Sequence, residues 1–141
     1  MTTTWVLIAD SSRARLFSVD KALAPLQEVQ AFINPEGRAK TQDLVSDRQG
    51  RSMGNGPNLD YDVAPKRRQA MMFAKAISEH LKNGRIGGMF RKLYIAAAPA
   101  FLGLLRGKLD AKTAELVVEM VNKDLTHLEP ARIRRHLPER L

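Results

Sequence analysis

The sequence predicts an α/β fold, a mixed five-stranded sheet held between helices. Three features lead there: a wholly apolar opening strand followed by two further strand-like segments, one strongly periodic helix, and a closing alternation of apolar strand with short helix. Trp5-Val6-Leu7-Ile8-Ala9 is an unbroken apolar run that stops at Asp10-Ser11-Ser12, the pattern of a central strand buried on both faces and then a turn. Ala14 to Val19 follow at hairpin distance. Beyond a break at Pro25, Leu26 to Ile33 alternate as a third strand, so the first three strands predict an antiparallel meander.

From Asn34 to Ala64 the periodicity vanishes, and Pro35, Gly37, Gly50, Gly54, Gly56 and Pro57 punctuate a polar stretch far longer than an ordinary connection. Pro65 suits a first helical position. Ala70, Phe73, Ala74, Ile77 and Leu81 then recur at helical spacing on one face, and Asn83-Gly84 reads as the stop. Leu93 to Ala98 predicts a fourth strand, buried like the first. Pro99 opens a short helix carrying Phe101, Leu102 and Leu105 and stopping near Gly107.

The next segment supports two readings. Ala114, Val117, Val118, Val121 and Leu125 form a helical stripe, whereas Leu116 to Val121 is β-branched enough for a strand. Thr126-His127-Leu128-Glu129 has capping-box spacing, and Ile133 and Leu137 would share one face of a terminal helix that ends at Pro138. If 116–121 is the strand, the order is three strands, helix, strand, helix, strand, helix. Right-handed crossovers would then set strands four and five parallel to strand one, which is the ribonuclease-H-like three-layer sandwich with helices on both faces of the sheet.

Bulk composition narrows the function classes. The length of 141 residues suits one domain spanning 1–141, with a long loop at about 34–64. A hydrophobic fraction of 44% and a charged fraction of 27% exclude disordered, collagenous and membrane classes. The absence of cysteine removes disulfides, thiolate nucleophiles and sulfur-based zinc sites, and fits a reducing compartment. The opening residues lack the basic and apolar regions of a secretory signal, and no run approaches the roughly 20 apolar residues that span a bilayer. A cytoplasmic protein without a membrane span is therefore expected. A net charge of +8, from 23 Lys and Arg against 15 Asp and Glu, points to anionic partners.

Three stretches of this sequence also carry a family resemblance. They are Trp5-Val6-Leu7-Ile8-Ala9-Asp10-Ser11-Ser12-Arg13-Ala14-Arg15-Leu16-Phe17, Ser46-Asp47-Arg48-Gln49-Gly50-Arg51-Ser52, and Lys123-Asp124-Leu125-Thr126-His127-Leu128. Together they resemble the bacterial host-attachment proteins over nearly the whole chain. That family is similar in turn to the middle domain of archaeal and eukaryotic class 1 peptide-chain release factors, which implies the same sandwich. The resemblance implies a functional loop between the meander and the long helix, where release factors carry a Gly-Gly-Gln tip. This chain has Gly50-Arg51-Ser52-Met53-Gly54-Asn55-Gly56 there, and Leu59-Asp60-Tyr61-Asp62-Val63-Ala64-Pro65 at the loop end where the family usually has a His and a Thr-Asp-Pro. Peptide release is therefore not expected of it.

Among the chemistry-bearing residues, Asp10 at the end of strand one could serve a two-metal nuclease. Strand four, however, ends in Ala96-Ala97-Ala98-Pro99 without an acid, so Asp10 reads as the brace of the Ser11-Ser12 turn. His80, His127 and His136 form no i, i+4 pair, so no metal site is predicted, and His127 reads as a locally bonded helix-start residue. No nucleophile elbow or phosphate-binding Gly-Lys loop occurs, and no cofactor is predicted. Gly87-Gly88-Met89 reads as a turn.

Cations gather at Arg13 and Arg15, at Lys66-Arg67-Arg68, at Lys82, Arg85, Arg91 and Lys92, and at Arg132, Arg134, Arg135 and Arg140. Lys66-Arg67-Arg68 at a helix start would oppose the macrodipole and invite an anion such as phosphate. The long stretch is mildly basic, because Asp43, Asp47, Asp60 and Asp62 offset Arg38, Lys40, Arg48 and Arg51.

The expectation that joins these features is a non-catalytic module binding RNA or the ribosome. Its contacts would come from Arg13, Arg15, Arg48, Arg51, Lys66, Arg67 and Arg68, with Gly50, Gly54, Asn55 and Gly56 shaping the loop. The alternatives are a hydrolase acting on tRNA-linked or RNA substrates, with Arg51 or Asp60 assisting, and a factor that serves host attachment by an indirect route. Neither the ligand nor the oligomeric state is legible at this level.

Overall fold

A computed structural model describes residues 3–34, 59–138 and 141, with the backbone alone for 59–64. The opening apolar run becomes β1 (Thr4–Ala9), and every one of its residues is buried. It pairs antiparallel with β2 (Arg13–Val19), which pairs antiparallel with β3 (Gln27–Ile33), so the meander is present. On its other side β1 pairs parallel with β4 (Lys92–Ala97), and β4 pairs parallel with β5 (Val117–Val121). The sheet order is β3-β2-β1-β4-β5.

Strand alternation divides the core into two halves. Trp5, Leu7 and Ala9 face Phe73, Ala74, Ile77 and Leu81 of α1 (Leu59–Ile86) and Phe101, Leu102 and Leu105 of α2 (Pro99–Lys108). Val6 and Ile8 face the other way, toward Leu125, Ile133 of α4 (Pro130–Arg135), Leu137 and Leu141. Helices therefore cover both faces, and the sheet with its two covering layers is the sandwich the sequence predicts. Outermost β3 departs from expectation: its alternation predicts one buried face, yet only Phe32 is even half-buried. An edge strand has one fewer neighbour to bury it, and Val29 and Ile33 stay about half exposed.

The ambiguous segment is both things in turn. α3 (Ala111–Glu115) takes its first part, and β5 takes the β-branched remainder. Asp110 starts the helix by accepting the Thr113 N–H, and pairing of Leu93 with Val117 and of Ile95 with Met120 draws the valines into the sheet.

Several boundaries need correction. α1 begins at Leu59, so residues 59–64 are helical and Pro65 lies inside the helix. The Asn83-Gly84 stop is overrun. Position 84 is helical, and it is glycine because a side chain there would collide with Trp5: an added Cβ would stand 2.5 Å from Cη2 of the indole. The chain leaves the helix through Gly87 and Gly88 instead, the latter at a φ of 70°, where glycine costs least. The terminal helix starts at Pro130 with Glu129 at its N-cap, so Thr126 is not a capping-box residue.

One ion pair joins the helical layer internally. Arg85 near the end of α1 donates to Oδ2 of Asp110 at 3.2 Å and to Oγ1 of Thr113 at 3.1 Å. The Thr113 hydroxyl, together with its N–H and the Arg85 guanidinium, holds the Asp110 carboxyl below its ordinary value against the opposing effect of partial burial. A carboxyl depressed in the folded state stabilises above its unfolded value, and that contribution is lost as pH falls through the folded value. The wild-type chain should therefore lose more stability below about pH 4 than Asp110→Asn does. Urea midpoints measured at pH 3 and pH 6 give the comparison, and equal losses in both proteins would refute it.

Candidate site at the carboxyl end of the sheet

In an open α/β sheet the crevice outside the carboxyl ends of parallel strands is the usual place for a ligand, because backbone groups there are not consumed by the ladder. β1 and β4 end side by side, at Ala9 and Ala97. A cavity of about 790 Å³ opens beyond them, bounded by Asp10, Ser11 and Ser12 after β1 and by Ala98, Ala100, Phe101, Gly103 and Leu104 at α2. Lys66, Arg67 and Ala70 of α1 form another wall, and Asp124 after β5 completes the rim. The start of α2 has no side-chain cap and no acid in its first turn, so its positive end meets this space without internal compensation.

Asp10 performs the turn role expected of it. Its Oδ1 accepts the N–H groups of Ser12 and Arg13, each at 2.8 Å. Its other oxygen, Oδ2, receives the hydroxyl of Thr126 at 3.1 Å, a contact between residues 116 positions apart that no local pattern reveals. Thr126 is fully buried, and its Oγ1 also lies 2.6 Å from Oδ1 of Asp124, which accepts the Thr126 N–H as well.

His127 is not a helix-start residue. Its Nδ1 is contacted by the guanidinium of Arg13, again across the fold. Ligand atoms of Asp10, Asp124 and His127 lie within 4.8 Å of one another, a grouping across the fold that histidine spacing in the sequence does not reveal. β4 does end without an acid; the second carboxylate comes instead from the segment after β5. Only the clustering of Asp124, Thr126 and His127 in one short motif hinted at it. The other histidines stand apart: His80 packs between Trp5 and Phe32, and His136 is exposed at the end of α4.

The expected phosphate-facing cations divide. Lys66 and Arg67 are exposed and line the crevice, and Arg68 beside them is exposed. They lie about two turns into α1, so the argument from an unfavourable helix start does not apply to them. Arg15 is engaged within the fold. Its guanidinium pairs with Glu28 through two nitrogens, at 3.2 and 3.0 Å, and donates to the carbonyls of Thr126 and Leu128 at 3.2 and 2.6 Å. Arg48, Arg51, Gly50, Gly54, Asn55 and Gly56 lie outside the described residues.

Residues 5–137 match a family described as protein required for attachment to host cells. The chain belongs to that family. No curated relative matches. Six solved chains match in structure. One of them is the crystal structure of an archaeal translation termination factor, at 14% identity and a TM-score of 0.51 over 97% of this chain. This host-attachment family chain spans about a third (35%) of that factor's length, and at such identity the likeness concerns the fold alone. No helix among the described residues is long and apolar enough to cross a membrane.

Proposed function

We propose that this host-attachment family protein is a non-catalytic module that binds RNA, free or in the ribosome, and grips backbone phosphate at the crevice beyond β1 and β4. The observation that carries the reading is the pair Lys66 and Arg67, both solvent-accessible, on the wall of a cavity of about 790 Å³ into which the uncompensated start of α2 also opens. The net charge of +8 supports it, since a positive field speeds encounter with a polyanion. A fold shared with a translation termination factor supports it too. In this reading the chain acts as one 1–141 unit in the cytoplasm, where its RNA is, and the family's attachment role is exerted indirectly through RNA rather than by adhesion. Arg13, close to the crevice, joins Lys66 and Arg67 as a phosphate contact; Arg15 does not, because its donors are already used.

Co-sedimentation with purified ribosomes across a salt series tests this. Binding should weaken steeply as salt rises, and the double variant Lys66→Glu, Arg67→Glu should bind at least about tenfold more weakly with a salt slope shallower by about two. Wild-type protein that stays in the supernatant at low salt would rule the reading out.

A further inference from the structure

We propose that Asp10, Asp124 and His127 form a site for a divalent transition-metal ion, and that Arg13 covers this site in the metal-free protein.

The three side chains come from two distant parts of the sequence and meet beyond β1. Asp10 follows β1, while Asp124 and His127 flank the buried Thr126. Two carboxylates this close repel one another unless positive charge stands between them. Among the described residues neither Asp10 nor Asp124 has an ion-pair partner, although the chain carries an excess of cations. The Thr126 hydroxyl does not relieve this. It touches both carboxylates, at 3.1 and 2.6 Å, but its single proton can serve one of them, so the other oxygen faces it without a hydrogen.

The donor set also indicates the kind of ion. One imidazole nitrogen with two carboxylate oxygens favours Mn²⁺ or Zn²⁺ over Mg²⁺ and Ca²⁺, which prefer oxygen throughout. Ligand atoms around such an ion at about 2.0–2.2 Å stand no more than about 4.4 Å apart, so the present spread of 4.8 Å needs only a small closure. Asp124 and His127 are exposed, which allows that movement and leaves further coordination positions to water or to a ligand oxygen.

Arg13 gives the site its distinguishing property. A guanidinium has only donors, so a hydrogen bond from Arg13 to Nδ1 of His127 requires the ring proton on Nε2. A metal on Nδ1 displaces Arg13 directly. A metal on Nε2 moves the ring proton to Nδ1, where a donor can no longer face it. The Arg13 contact and metal coordination by His127 are therefore mutually exclusive at either nitrogen. Arg13 occupies His127, not the carboxylates, in the metal-free state, and metal binding releases its side chain.

Isothermal titration of the full chain with MnCl₂, and separately with ZnCl₂, tests the proposal without any RNA, so its outcome is independent of the phosphate-binding reading. One ion per chain is expected for at least one of the two metals. His127→Ala and Asp124→Asn should each weaken that binding by at least about tenfold. Arg13→Gln should strengthen it by about three- to tenfold, because it removes the competing state. His127 is exposed, so its variant keeps the test valid should Asp124→Asn disturb folding. No stoichiometric uptake of either ion, uptake unchanged by His127→Ala, or weaker uptake in Arg13→Gln would each overturn the proposal.

Discussion

Phe101→Ala is expected to lower the free energy of unfolding by about 3–5 kcal/mol, the largest single-residue effect anticipated in this protein. Phe101 is almost completely buried where α2 crosses α1, its ring 5.8 Å from that of Phe73, and it forms part of the same core as Leu7, Ala9 and Ile95. Removing it deletes the Phe73–Phe101 contact between the two helices and leaves a cavity beside the crevice. Close-packed surroundings recover little of that loss, since β1 and β4 cannot move inward without breaking the ladder. Equilibrium urea denaturation reads the change. A loss under about 1 kcal/mol would mean that the α1–α2 contact is not part of the cooperative core.

Arg15→Ala is expected to cost about 2–3 kcal/mol, an unusual amount for a half-buried arginine on a β-strand. The side chain holds Glu28 on β3 and the carbonyls of Thr126 and Leu128 at once, and its guanidinium lies 5.1 Å from the Phe17 ring centre. Without it the two carbonyls lose a charged donor, and the segment carrying His127 loses its tether to β2. Arg15→Lys should restore less than half of the loss, because an ammonium cannot span the carboxylate and both carbonyls with one planar fork. Urea denaturation of the three proteins decides this. If Arg15→Ala instead keeps full stability and loses only ribosome binding, the residue belongs to the ligand surface, as the charge pattern alone implies.

The contrast between Arg15 and its neighbours shows what sequence can convey about the site. That Arg13 and Arg15 flank a turn, and that Lys66, Arg67 and Arg68 adjoin a helix, is visible in the order of residues. Which of these cations is consumed internally depends on partners up to 114 positions away, and charge patterning contains no such information. The same holds for Asp10. Its turn-bracing role is local, and Asp-Ser-Ser announces it; its meeting with Thr126 depends on where the segment after β5 lies relative to β1.

Helix boundaries behaved similarly. The apolar stripe of α1 identified the helix and its buried face, because a 3.6-residue period leaves few alternatives. Its ends are less legible, because a glycine that reads locally as a stop can serve packing instead, as at Gly84, where the indole of Trp5 fills the space a side chain would need.

The sequence by itself determined the element types before residue 111, the burial of β1 and β4 on both faces, and, given a strand at 116–121, the layered sandwich, since apolar periodicity and short connections leave few ways to bury those faces. The tertiary structure alone decided the division of 111–121 into helix and strand, the internal use of Arg15, and the gathering of Asp10, Asp124 and His127 beyond β1. These outcomes depend on contacts between segments far apart in the chain, and energies of that kind arise only once the sheet has brought the segments together.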